Sequence, residues 1–433
     1  MRVPLALVCS RWFSLAALLP LCLLWCSPAS VVSAQTIVTN TGFSSAGTLG
    51  PLNEWDYPDR AYASDNQYAE GRNKTDLQSY DGFNFSIPAG AIINGIEVVV
   101  EWAGQNKNYC ALGVELSSDA GVSYTLTGYW DSRTSTTDAD STFGGANDKW
   151  GRLQWSSGDF AGSNFLVRLE VVDAQGQGNK LKIDWLRVRV HYTMVVPEVS
   201  NAGGASDITA TSATLNGSVV TGTPAPEAFF YWGPTDGGTN PLAWSNVIPM
   251  GVQAGAFATN ISGLLANRTY YYRCYVTNAA GATWAPATTN FLTAPPAVLF
   301  THTPYTVNEN GTGVMITVTM ATTSALPVSI NYATSNGTAE AGTDFTNATG
   351  TLTWDAGSTG ERTFTVWLMD ETTDEGDETF YVVLSAPTNC VISGENPAPA
   401  VIFDDDGKST IRFATTQSSG PESVTATNLM VLV

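Results

Sequence analysis

Six carboxylates fall within nine residues of this chain: Asp370, Glu371, Asp374, Glu375, Asp377 and Glu378. Three consecutive aspartates, Asp404, Asp405 and Asp406, follow a short apolar run further on. Two carboxylates about 4 Å apart repel by roughly 4 kcal/mol at an effective dielectric near 20. A fold that gathers several at one end therefore needs protonation, separation by solvent, or a cation. Calcium suits such a group, because it takes about 6–8 hard oxygen ligands in a flexible shell. Glu309 and Asp344 join the cluster if their loops share the same end of the fold. Asp404 to Gly407 lacks the alternating ligand spacing of an EF-hand, so that motif does not explain the acids.

Other chemistry finds little support. The two histidines, His191 and His302, both read as strand residues. No zinc-binding His pair at helical spacing, nucleophile-elbow serine or phosphate-cradling glycine loop occurs. The chain reads as non-enzymatic. A glycosidase-type carboxylate pair needs no local signature and stands as the enzymatic alternative. The crowded acids near Asp370 suit that role poorly, with many like charges and no apolar pocket to raise one pKa. The net charge is −20. A polyanionic surface repels nucleic acid and anionic lipid, leaving divalent cations as natural partners.

The elements that must position these acids are strands. Thr, Ser, Gly, Val and aromatic residues dominate, and apolar residues alternate in short runs between turn residues, which predicts an all-β chain of tandem β-sandwiches. Ile96, Val98, Val100 and Trp102 share one face, with Glu97, Val99 and Glu101 opposite. Phe165, Val167, Leu169 and Val171 share another, and Leu186, Val188 and Val190 a third. Residues 1–34 read as a signal peptide: Arg2 and Arg11, an apolar run of 13 residues from Phe13 to Trp25, and the small residues around Ser33. That predicts a secreted or cell-surface protein with no transmembrane segment after cleavage. Of the six cysteines, Cys9, Cys22 and Cys26 leave with this segment. Cys110, Cys274 and Cys390 fall one to a domain, so each domain must hold together by its apolar core.

Residues 35–194 resemble a jelly-roll or lectin-like domain of bacterial surface and phage-associated proteins. The likeness rests on WDYPDRAYASDNQYAE (from Trp55), FNFSIPAGAIINGIEVVVE (from Phe83) and IDWLRVRVHYT (from Ile183). Its aromatics (Trp55, Tyr57, Tyr62, Tyr68) and acids (Asp56, Asp59, Asp65) are either a sugar or metal site or core and turn residues. Val195, Val196 and Pro197 read as a linker, as do Ala294, Pro295 and Pro296. Residues 195–296 resemble a fibronectin type III-like sandwich, with an early strand from Thr211 to Gly217. The Leu265-to-Tyr271 spacing of six matches that family's tyrosine corner, whose hydroxyl bonds back to the chain.

Residues 297–408 resemble a Calx-beta domain through YTVNENG (from Tyr305), NGTAEAGTDF (from Asn336), MDETTDEGDETF (from Met369) and IFDDD (from Ile402). The resemblance implies calcium ligands at Glu309, Asp344, Asp370, Glu371, Glu375, Glu378, Asp404, Asp405 and Asp406, with a backbone carbonyl from Thr373. Asp374 and Asp377 are expected to face water. Glu371 stands where well-studied members have Asp, which weakens the expectation of a second ion. Residues 409–433 look like the truncated start of a second repeat. Three functions follow as expectations: a modular adhesion or matrix-type protein with calcium ions and a cell-surface glycan or protein as partners, a carbohydrate-binding protein or accessory module of a glycan-degrading enzyme, and a ligand-free spacer.

Overall fold

The computed structural model describes residues 35–407, apart from 127, 177, 178 and 374. The expected signal peptide, the start of a second repeat at 409–433, and Asp374 lie outside the described residues. The described residues are all-β, with strands gathered into five sheets and three short 3-10 turns between them. Among the described residues no helix is long and apolar enough to cross a membrane.

Alternation explains the first core. Strand Ile92–Gly104 lies between Leu181–Ser200 and Ala139–Gly144 in one sheet. Strand Leu166–Ala174 lies between Leu77–Asp81 and Cys110–Ser117 in the facing sheet. Ile96, Val98, Val100 and Trp102 of the first sheet are fully buried, as are Val167, Leu169 and Val171 of the second. Each such side chain contributes about 1.5–3 kcal/mol by leaving water. Trp102 keeps its indole N–H satisfied on Ser141 Oγ at 2.8 Å. Between Ile183 and Trp185 the register against Ile92–Gly104 shifts by one. Asp184 is the extra residue of this bulge and is buried.

The expected linker at Val195 to Pro197 is strand instead. Leu181–Ser200 runs unbroken for 20 residues. Its far end pairs with Ser212–Thr223, which in turn pairs with Ala256–Ser262. Val195 lies opposite Thr36 of the first domain on one side and Thr223 of the second on the other. Pro197 has no N–H to donate, and the register slips beside it, between Val195 and Glu198. A proline is tolerated at such an irregularity. Ala294, Pro295 and Pro296 do lie outside any strand.

In the second domain, strands Asn246–Val252, Glu227–Gly233, Thr269–Asn278 and Gly281–Trp284 form the facing sheet. Tyr271 does not make the tyrosine corner. Burial alternates along Thr269–Asn278 so that Tyr270, Tyr272, Cys274 and Val276 point inward and Tyr271 outward. Tyr270 Oη accepts from the Leu265 N–H at 3.1 Å, and Tyr272 Oη lies 3.0 Å from the carbonyl oxygens of both Asn201 and Asn216. One residue of strand register moves a side chain to the other face, so a spacing of six could not serve here.

The third domain packs Gly360–Trp367, Gly313–Met320, Ala297–Phe300 and Val391–Ile392 against a five-stranded sheet. That second sheet runs Tyr305–Asn308, Ala398–Phe403, Glu378–Thr388, Val328–Ser335 and Thr349–Trp354. Val314, Ile316, Val318 and Met320 fill the space between, and Phe345 stacks on Phe380 with ring centroids 4.4 Å apart. The three described cysteines are free, buried and one to a domain.

Candidate metal centre

Strand direction decides which acids meet. Tyr305–Asn308 and Ala398–Phe403 run parallel, so Glu309 and Asp404 to Asp406 leave the sheet at the same end. Gly360–Trp367 ends there too and leads into Asp370 to Asp377, while Glu378–Thr388 begins there. The loop carrying Asp344 is tied to this end by Met369 N–H donating to the Asp344 carbonyl at 2.9 Å. Glu309 is pinned by its own N–H on the Phe403 carbonyl at 3.0 Å.

Two carboxylate triads result. Glu309, Asp404 and Asp406 offer oxygens within 4.8 Å of one another, and so do Asp344, Glu375 and Glu378. A cavity of about 10 Å³ is lined by Glu309, Asp344, Glu375, Gly376, Glu378, Ile402 and Asp404. It therefore touches both triads. Such a space takes about one water-sized sphere, so a bare ion fits and an organic ligand does not.

The charges strain against one another. Burial raises the pKa of Glu309, and then Glu371, Asp404, Asp406 and Asp405 raise it further. Glu371 is the first cause of the upward shift at Glu375. Burial followed by Asp344 pushes Glu378 up to about 7. Asp406 is raised by desolvation and then by Asp404, Asp405, Glu371 and Asp370. Six ion pairs of arginine or lysine form among the described residues, and all lie in the first domain. None relieves the acidic end.

The predicted acids thus take different places. Glu371 acts on members of both triads, and its Oε1 is buried without a hydrogen-bond partner, as is Asp406 Oδ2. Those orphaned oxygens fit a hard cation. Asp404 holds the loops, accepting from Gly376 N–H and Asp406 N–H at 3.1 Å each. Asp405 lies outside both triads and braces the Glu309 turn, accepting from the backbone N–H and side-chain amide of Asn310. Asp370 and Thr373 are exposed in the same loop, as is Asp377.

In the first domain a further triad is present that spacing did not reveal, Glu101, Asp138 and Asp184. Asp184 accepts from the backbone N–H groups of Asp65 and Asn66 at 3.2 and 3.1 Å. Tyr68 donates to Asp138 Oδ2 at 2.9 Å. Trp55 is core, its indole N–H on the Asp76 carbonyl, whereas Tyr57 is exposed under Arg60.

A β-sandwich with carboxylate oxygens gathered at one end has the donor set that hard cations take. Residues 293–406 match the model of the Calx-beta domain, and the chain carries such a domain there. The sodium/calcium exchanger Calx of Drosophila melanogaster is 32% identical over 139 residues, which is 32% of this chain and 14% of that protein. This chain therefore spans only a small part of the exchanger's length. The apo-form Calx CBD1 domain is 32% identical, covering 26% of this chain and 99% of that one, with a TM-score of 0.25. The calcium binding domain CBD12 of CALX1.1 is 31% identical, covering 29% and 53%, with a TM-score of 0.25. A two-domain fibronectin type III segment of chicken tenascin is 14% identical, covering 48% and 99%, with a TM-score of 0.26.

Proposed function

We propose that the Calx-beta domain binds calcium through the two triads with Glu371 between them, in a secreted or cell-surface protein of adhesion or matrix type. The observation that carries the metal assignment is the convergence of two carboxylate triads, with no ion pair to them among the described residues, on a cavity the size of one ion that five of the six acids line. The similarity to a structure described as a calcium binding domain supports the choice of ion. Glu309, Asp404 and Asp406 would hold one position, and Asp344, Glu375 and Glu378 the other. Bound calcium supplies the positive charge that lets all six stay ionised together. The export reading rests on Arg2, Arg11 and the apolar run after them, and the adhesion reading on the tandem sandwiches and the acidic balance.

Thermal unfolding with calcium titrated against magnesium tests the assignment. Binding to the folded form alone stabilises by about 2.7 kcal/mol at a hundredfold excess over Kd. A Kd on the order of 10⁻⁴–10⁻³ M is ordinary for an extracellular module. A melting temperature that rises with calcium, rises less with magnesium, and loses most of the response in Asp404→Asn fits the proposal. Indifference to millimolar calcium rules it out and leaves a structural spacer.

A further inference from the structure

Backbone pairing crosses both domain boundaries. At the first, Leu181–Ser200 contributes to the ladders of two domains, and the Asn278 side-chain amide donates to the carbonyls of Val195 at 3.0 Å and Pro224 at 2.7 Å. At the second, Ala266 pairs with Ser324 as an isolated bridge. Ala266 N–H donates to the Thr323 carbonyl at 3.0 Å, and Ala325 N–H to the Ala266 carbonyl at 2.9 Å. Ala266 and Ser324 are both buried there, at 0% and 1% exposure.

Asn267 completes this second joint. Its φ of 54° lies in the left-handed region, which asparagine tolerates better than most residues. Its side-chain amide donates to Ser324 Oγ at 2.9 Å and to the Asn389 carbonyl at 2.8 Å. Ser324 in turn accepts from Leu326 N–H through Oγ and from Gly357 N–H through its carbonyl. One side chain of the second domain thus ties together two loops of the third, and Ser324 joins a third loop to them. Those loops follow Gly313–Met320, follow Thr349–Trp354 and follow Glu378–Thr388, so they lie at the end of the sandwich remote from the acids.

We infer that the second domain and the Calx-beta domain form one stiff body latched by Asn267, in place of two beads on a flexible linker. Contacts between domains of one chain are ordinarily polar and loose, and relative motion is the default. Here parting the domains would break the two backbone hydrogen bonds of Ala266 and the two donated by Asn267, and would open Ala266 and Ser324, which the joint buries, to water. The acidic end is then held at a fixed distance and orientation from the second domain, whether or not an ion is bound.

The experiment measures that distance in the full chain, with spin labels on the exposed strand positions Ala258→Cys and Thr351→Cys. A single narrow distance distribution is expected, the same in calcium and in chelator. Asn267→Gly keeps the left-handed backbone accessible while removing the latch, and should widen the distribution about twofold or more. Ser324→Ala removes one acceptor from the other side and should widen it less. Calorimetry on the same variants confirms that each domain still folds. A broad distribution in the parent chain, or a narrow one that survives Asn267→Gly in a folded protein, overturns the inference. Neither result bears on calcium affinity, which the melting titration reads separately.

Discussion

Glu378 shows how the acidic end trades protons for an ion. Its pKa is pushed up to about 7 by burial first and by Asp344 next, from 4.5 in the unfolded chain. The folded, ion-free form therefore holds the proton more tightly than the unfolded one. That contribution to stability is full below the unfolded pKa and is lost as pH rises through about 7. Glu378→Gln should raise the melting temperature of the ion-free protein at about pH 8, by at most about 4 °C given solvent screening, and do little at about pH 5. Calcium must displace the same proton, so its affinity, read by isothermal titration, should fall as pH is lowered from about 8 to about 6. Asp405 offers a contrast, since it braces Asn310 from outside both triads. Asp405→Asn should weaken the calcium response clearly less than Asp404→Asn.

Glu375, Glu378, Asp404 and Asp406 stood out because they lie in two acidic runs of the chain, whereas Glu309 and Asp344 stand alone in sequence and entered only through the resemblance and the condition that their loops share one end. The division of these acids into two triads was not legible, since it depends on which loops the parallel pairing of Tyr305–Asn308 with Ala398–Phe403 brings together. Glu101, Asp138 and Asp184 come from three distant stretches. Asp184 reaches them only from a bulge that no alternation pattern announces.

At the scale of the element, alternation predicted which faces of the long strands are buried, and it also holds the correction to the tyrosine corner. Tyr270, Tyr271 and Tyr272 are consecutive, so strand geometry sends the middle one to the opposite face from the other two, and burial shows that face to be the outward one. Tyr272 is fully buried with its hydroxyl between two backbone carbonyls. Tyr272→Phe should destabilise the second domain by about 1–3 kcal/mol, because it strips buried carbonyls of a donor. Tyr271→Phe should stay within about 0.5 kcal/mol, as for most outward-facing positions. Chemical denaturation of the two variants separates them. The linker expected at Val195 to Pro197 failed for a related reason. Proline and a domain boundary both suggest a break, yet the ladder tolerates both where its register slips.

Across the whole molecule, charge is unevenly placed. The first domain pairs its acids with Arg72, Arg133, Arg168, Lys180, Arg187 and Arg189. From Ala297 onward the sequence has 16 acidic and 3 basic residues. Raising salt to about 0.5 M shortens the screening length to roughly 4 Å and should relieve repulsion at the acidic end more than it weakens the surface ion pairs elsewhere. The calcium-free protein should therefore melt higher in salt, and the calcium-bound form should gain less. Salt that lowers both melting temperatures equally would contradict this picture.

Leu181–Ser200 belongs to two hydrophobic cores at once, and that limits how the chain can be cut or recombined. A module joined by a linker can be exchanged like a cassette; one that borrows its neighbour's strand cannot. A fragment starting at Asn201 would keep Ala256–Ser262 beside Ser212–Thr223 but lose residues 195–200 from that strand's other side. It would expose a raw sheet edge of the kind that invites association between copies. Division at that point should give sticky, self-associating halves, whereas a cut in the non-strand stretch Ala294 to Pro296 severs no strand and opens only the short Ala266–Ser324 bridge and the Asn267 latch.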